Sequence, residues 1–81
     1  MPRFFFDTKI KETVFEDTEG ADFETVEQAV QRSLEDATEF AGNRMSHGDA
    51  IDGEEKIIRS EAGEIVARFT IEDAVRKMTK L

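Results

Sequence analysis

His47 is the single histidine of a chain that has no cysteine, so it is the one side chain whose ordinary pKa lies near neutrality. It falls at the predicted end of a long helix, where a cation suits the helix dipole, and this accounts for it without chemistry. As a general base it has no nucleophile in reach. Ser33 lies fourteen helical positions away, about 21 Å along the axis, and adjacent Ser46 points round the helix in another direction. Ser60 belongs to a separate segment, and no spacing draws it towards His47. Carboxylates are abundant, yet neither the run 17–27 nor the run 49–55 puts acids at the first, third and fifth positions with Gly at the sixth, as an EF-hand loop requires. The glycines at 20, 42, 48, 53 and 63 form no phosphate-cradling loop, and no Gly-Lys-Ser or Gly-Lys-Thr occurs. The sequence therefore predicts no catalytic residue, no metal site and no cofactor, and a protein that is not an enzyme.

The charge pattern says more. Eleven basic residues stand against 19 acidic ones, a net charge of −8. From 12 to 27 the chain carries Glu12, Glu16, Asp17, Glu19, Asp22, Glu24 and Glu27 with no Lys or Arg among them. Such a surface repels a phosphate polymer, so nucleic-acid binding is not expected. It serves either as a solvated, solubilising face or as a docking surface for a basic protein partner. No stretch approaches the roughly 18 apolar residues that cross a bilayer. Arg3 followed by three Phe is too short for the apolar region of a signal peptide, so a cytoplasmic protein with no membrane partner is expected.

At 81 residues the chain fits one domain, 1–81, close to the lower limit for a core without disulfides or metal. Residues 3–10 read as an aromatic-rich strand with Phe4, Phe6, Thr8 and Ile10 on one face and Phe5 on the other. Residues 13–17 read as its hairpin partner, and Asp17-Thr18-Glu19-Gly20 as a turn in which Gly20 takes positive φ. A long amphipathic helix over 26–47 follows. Thr25 is its predicted N-cap, with Gln28 completing a capping box and Asp22 as the competing cap. Val26, Ala29, Val30, Ser33, Leu34, Ala37, Phe40, Ala41 and Met45 make its apolar stripe, and Gly48 its stop. Strands over 56–60 and 65–70 flank the hairpin turn Glu61-Ala62-Gly63-Glu64. Thr70 then caps a short C-terminal helix that is acidic at its start and basic at its end. The predicted fold is α+β: β-β-α-β-β, with the long helix packed on a four-stranded sheet and a short helix at the C-terminus.

Met1-Pro2-Arg3-Phe4-Phe5-Phe6, Asp17-Thr18-Glu19-Gly20, Ile51-Asp52-Gly53 and Glu61-Ala62-Gly63 stand in the order of the landmarks of a family of small proteins of unknown function. The chain resembles that family, whose members occur chiefly in rhizobia and related alphaproteobacteria, over almost its whole length. The resemblance implies a bacterial source and no activity. Members often carry a His after the aromatic cluster, where this chain has Asp7, so a role built on that His does not transfer. The first half, with Thr25-Val26-Glu27-Gln28-Ala29-Val30 opening the helix, is also similar to antitoxins of the HicB type.

These features point to a non-enzymatic protein-binding or regulatory module, with an antitoxin-like module or a small ligand-binding domain as the alternatives. A homodimer is expected as well. A helix over 26–47 spans about 33 Å, longer than strands of about 20 Å, while Phe40 and Met45 continue its apolar stripe and Phe5 opposes Phe4 and Phe6. Phe5, Phe40 and Met45 are the expected dimer contacts.

Overall fold

A computed structural model describes residues 2–46 and 53–79. Five strands and two helices follow in the order β1 (Arg3–Ile10), β2 (Thr13–Phe15), β3 (Ala21–Asp22), α1 (Val26–Ser46), β4 (Glu54–Ser60), β5 (Ile65–Thr70) and α2 (Ile71–Thr79). The arrangement is α+β, with an antiparallel sheet in the order β2-β1-β4-β5 and β3 added beside β1. His47 and Gly48 lie outside the described residues, as does Ile51-Asp52.

Strand β3 is the element that sequence patterning does not announce. Thr8 faces Phe15 in the β1–β2 pair, a register that would set Phe4 opposite Glu19; instead Phe4 faces Ala21. β2 and β3 are thus one returning strand split by an excursion at 16–20 that takes up two surplus residues. Gly20 lets the chain rejoin the sheet. Its φ is +71°, and a Cβ there would lie 2.8 Å from the Phe4 carbonyl oxygen. The β1–β2 connection is tight although it lacks glycine. Lys11 adopts φ 58°, and its N–H donates to the Gly53 carbonyl at 2.9 Å, tying the turn to the start of β4. Across the sheet, Gly63 at φ 87° closes the β4–β5 hairpin, where the Ser60 N–H donates to the Glu64 carbonyl at 2.8 Å and the Gly63 N–H to the Ser60 carbonyl at 2.9 Å.

Both helices cover one face of the sheet. Phe4, Ile58 and Phe69 from the strands meet Ala29, Leu34 and Ala37 of α1 and Ile71 and Ala74 of α2, with Phe6 and Phe23 packed at the margin. Ile58 and Ile71 are fully buried, each contributing about 2 kcal/mol through lost apolar hydration. Small residues at 29, 33 and 37 let α1 sit close to its neighbours. α1 continues past Gly42-Asn43 to Ser46. Among its described side chains, Ala29, Ser33, Leu34 and Ala37 are buried, while Val26 and Phe40 are 36% and 41% exposed.

The caps form largely as the sequence predicts. Thr25 Oγ1 accepts the Gln28 N–H at 3.1 Å, while Gln28 Oε1 reaches one residue further back than expected, to the Glu24 N–H at 2.9 Å. Asp22, the alternative cap, is held in β3 instead. Thr70 Oγ1 accepts the Asp73 N–H and opens α2 directly from β5. Thr25→Ala should lower stability by about 1 kcal/mol, because it orphans an amide at the start of the longest helix. Urea denaturation measures this, and an unchanged midpoint would show that the cap carries no weight.

Candidate functional site

A buried and multiply bonded carboxylate lies on the sheet face away from the helices. Period-two alternation along β1 and β4 puts Phe5, Asp7 and Lys9 there with Glu55, Ile57 and Arg59. Asp7 is 3% exposed. Arg59 grips it with a forked pair of bonds, Nε to Oδ2 and Nη2 to Oδ1, the latter at 3.1 Å. The guanidinium also lies 5.4 Å from the Phe5 ring centroid, a cation–π distance. Asp7 Oδ1 further accepts the Asp17 N–H at 3.0 Å. Asp17 in turn stands in for the missing strand ladder: its Oδ2 accepts the Phe6 N–H at 3.1 Å, and its Oδ1 the N–H groups of Glu19 and Gly20.

Both carboxyls are held below the ordinary aspartate range. For Asp7 the Arg59 hydrogen bonds dominate and outweigh the opposing effect of burial, with the Asp17 N–H adding to them. For Asp17 burial is the largest influence and pushes upward, but the N–H donors of Phe6, Gly20 and Glu19 together more than offset it. Arg59 is correspondingly raised by Asp7. These groups are committed to the fold: each is charged, oriented and already paired. Two further pairs lie across neighbouring strands, Arg3 with Asp22 at 3.1 Å and Arg68 with Glu55 at 2.6 Å.

The seven acids of 12–27 thus divide. Asp17 and Asp22 are used internally. Glu12 in the β1–β2 turn, Glu16 and Glu19 in the excursion, and Glu24 and Glu27 at the start of α1 are exposed, and their carboxylates make no ion pair among the described residues. Glu12, Glu16 and Glu19 flank β2 and β3, and Glu24 and Glu27 lead from β3 into α1. Beside this segment, a groove of about 330 Å³ opens between the excursion and α1, lined by Phe6, Phe23, Asp17, Arg32 and Asp36. A second groove of about 320 Å³ lies at the other end of the helix-covered face, between Ile10, Phe15 and Phe40, with Glu54 and Lys56. Of the expected dimer contacts, Phe40 lines this second groove, Phe5 lies under Arg59 on the opposite face, and Met45 falls in the last turn of α1, where its side chain is outside the described residues.

Sequence reading misses Arg59, Arg32, Asp36 and the two aromatic rings as parts of sites, and treats Asp7 only as the replacement of a family histidine. One signal was present: an aspartate at an alternating position inside an aromatic strand must find a cation when the strand is central. Among the described residues no group of three or more His, Asp or Glu side chains is placed to hold a metal ion, and no helix is long and apolar enough to cross a membrane.

A family model described as a domain of unknown function (DUF6894) matches residues 3–72. The chain belongs to this family. The match runs from the first residue of β1 into the first turn of α2, so the split strand, the Asp7–Arg59 pair and both grooves fall inside the DUF6894 region. Neither the curated proteins nor the solved structures yield a match.

The depressed Asp7 and Asp17 values give stability a defined pH dependence. Between those values and about 3.9, the unfolded-state value, the unfolded chain binds more protons than the folded one. Their stabilisation is present above that range and lost as pH falls through the folded values. Asp7→Asn should cost about 2–3 kcal/mol at neutral pH, the range for removing a hydrogen bond to a charged partner, and should flatten the acid limb. Denaturation midpoints across pH 2 to 7 test this, and parallel wild-type and variant curves would refute it.

Proposed function

We propose that this chain is a non-enzymatic protein-binding module that docks a basic partner along the β2/β3 edge. One observation carries the reading. Three acids of the sheet, Asp7, Asp22 and Glu55, each have an arginine, whereas Glu12, Glu16, Glu19, Glu24 and Glu27 stand exposed within one segment and form no ion pair among the described residues, Glu16 acting only through its field on Arg59, which Asp7 already holds. Charge left uncompensated on a single edge steers an oppositely charged surface and sets its orientation. An antitoxin-like role, in which the basic partner is a toxin, is one form of this proposal. A bacterial, cytoplasmic setting belongs to it too, on the resemblance and the acidic composition. The commitment of Asp7, Asp17 and Arg59 to internal pairing supports a binding rather than a catalytic role.

Binding of a fluorescent lysine- and arginine-rich peptide should weaken steeply between low salt and about 0.5 M salt, where screening acts within a few ångströms. It should be abolished when Glu12, Glu16, Glu19, Glu24 and Glu27 are changed together to Gln. Anisotropy titration provides the measurement, and binding indifferent to the five substitutions would sink the proposal.

The second groove supports a second reading, self-association. Ile10, Phe15 and Phe40 are 36%, 56% and 41% exposed around one apolar concavity, and a two-fold dimer would bury all three. With a net charge of −8 on each copy, salt should strengthen this association, opposite to its effect on the basic partner. Sedimentation equilibrium at tens of micromolar should give a dimer that Phe40→Glu dissociates. A constant mass of 9.2 kDa would rule it out.

A further inference from the structure

We propose that the groove between the excursion and α1 receives an arginine side chain of the partner. This rests on the reading of the acidic edge as a docking surface and names the contact that gives it selectivity. The groove, of about 330 Å³, combines two aromatic rings with two carboxylates. Phe6 and Phe23 stand edge to face, 5.9 Å apart at 79°, so an aromatic face is presented in a fixed orientation. The Asp17 carboxylate is held immobile by the N–H groups of Phe6, Glu19 and Gly20, and its low pKa keeps it charged. Oδ2 accepts only the Phe6 N–H of these three and retains acceptor capacity.

Asp36 completes the set from α1. Its partner is Arg32, one turn earlier, at 3.4 Å with side chains 59% and 65% exposed. An exposed pair of this kind holds weakly and yields to a competitor. The chain's own guanidinium therefore already occupies the rim, showing the chemistry that Asp36 accepts. An anion is repelled by Asp17 and Asp36, and an uncharged side chain leaves both carboxylates without a new partner. Between the two basic side chains, the planar guanidinium fits better than the ammonium: it stacks on an aromatic face, is more weakly hydrated, and donates in a fork to carboxylate oxygens.

The test is a titration of the 15N-labelled protein with acetyl-Gly-Arg-Gly-amide, with its lysine and citrulline counterparts in parallel. The arginine peptide should give saturable shifts at the Phe6, Gly20, Ala21 and Phe23 amides, the lysine peptide weaker ones, and citrulline none. Asp36→Asn should weaken binding about ten-fold, as loss of a charge-assisted hydrogen bond predicts. Arg32→Gln should tighten it by removing the internal competitor. Glu72→Gln, the same change of charge at the start of α2 and outside both the groove and the acidic segment, should leave it unchanged. Equal losses from Asp36→Asn and Glu72→Gln would overturn the proposal. So would unsaturable shifts confined to the exposed glutamates and alike for arginine and lysine, although the acidic edge would then stand as a docking surface. Silence from both basic peptides would overturn the groove and the edge together.

Discussion

A carboxylate that is almost wholly withdrawn from water has to be answered by a cation, and the sheet is organised around that demand at Asp7. β1 is central, so Asp7 takes Arg59 from β4 on one side and the Asp17 N–H from the returning strand on the other. The pair also defends the register. A one-residue slip of β1 would carry Asp7 into the helix-covered core and turn Phe4 and Phe6 out to the open face. Phe5, sharing its face with Asp7, gives the Arg59 guanidinium an aromatic surface to lie against.

The same interaction explains why a returning strand can be broken without loss of order. An interruption in a sheet leaves backbone amides without partners, and here the Asp17 side chain supplies the acceptor for Phe6 while closing its own turn through Glu19 and Gly20. The excursion is thus a rigid, side-chain-braced element. Its rigidity sets one wall of the groove beside α1, and its break blunts the sheet edge against pairing with another chain.

The distribution of charge follows from the two-layer build. The helices cover one face, so the other must meet water, and it does so with arginine–carboxylate pairs laid across adjacent strands: Arg3 with Asp22, Arg59 with Asp7, Arg68 with Glu55. Ile57 stays buried on that face between the flanking strands that carry Asp7 and Arg68. Pairing on the open face engages Arg3, Arg59 and Arg68, while the glutamates at 12, 16, 19, 24 and 27 form no ion pair among the described residues.

Local physics made much of the fold legible in the amino-acid order. The alternation in β1, the Thr25 and Thr70 caps, the glycine at 63 and the amphipathic spacing of α1 each act within a few residues, and each stands where the pattern put it. The α+β class follows from them, because an apolar helix stripe and alternating strands need one another. Tertiary structure alone decided the rest. Asp7 and Arg59 are 52 residues apart, and no spacing rule links them. β3 is two residues long and exists only because β1 offers an edge to pair with. Asp17 reads in the sequence as one of seven acids of a solvated run, yet the split strand turned it inward; Arg32 and Asp36 fall outside the apolar stripe of α1, yet the excursion built a wall opposite them. Hydrogen bonds and ion pairs between distant segments form only once the strands are aligned, so the chemistry of both grooves was set by alignment rather than by sequence neighbourhood.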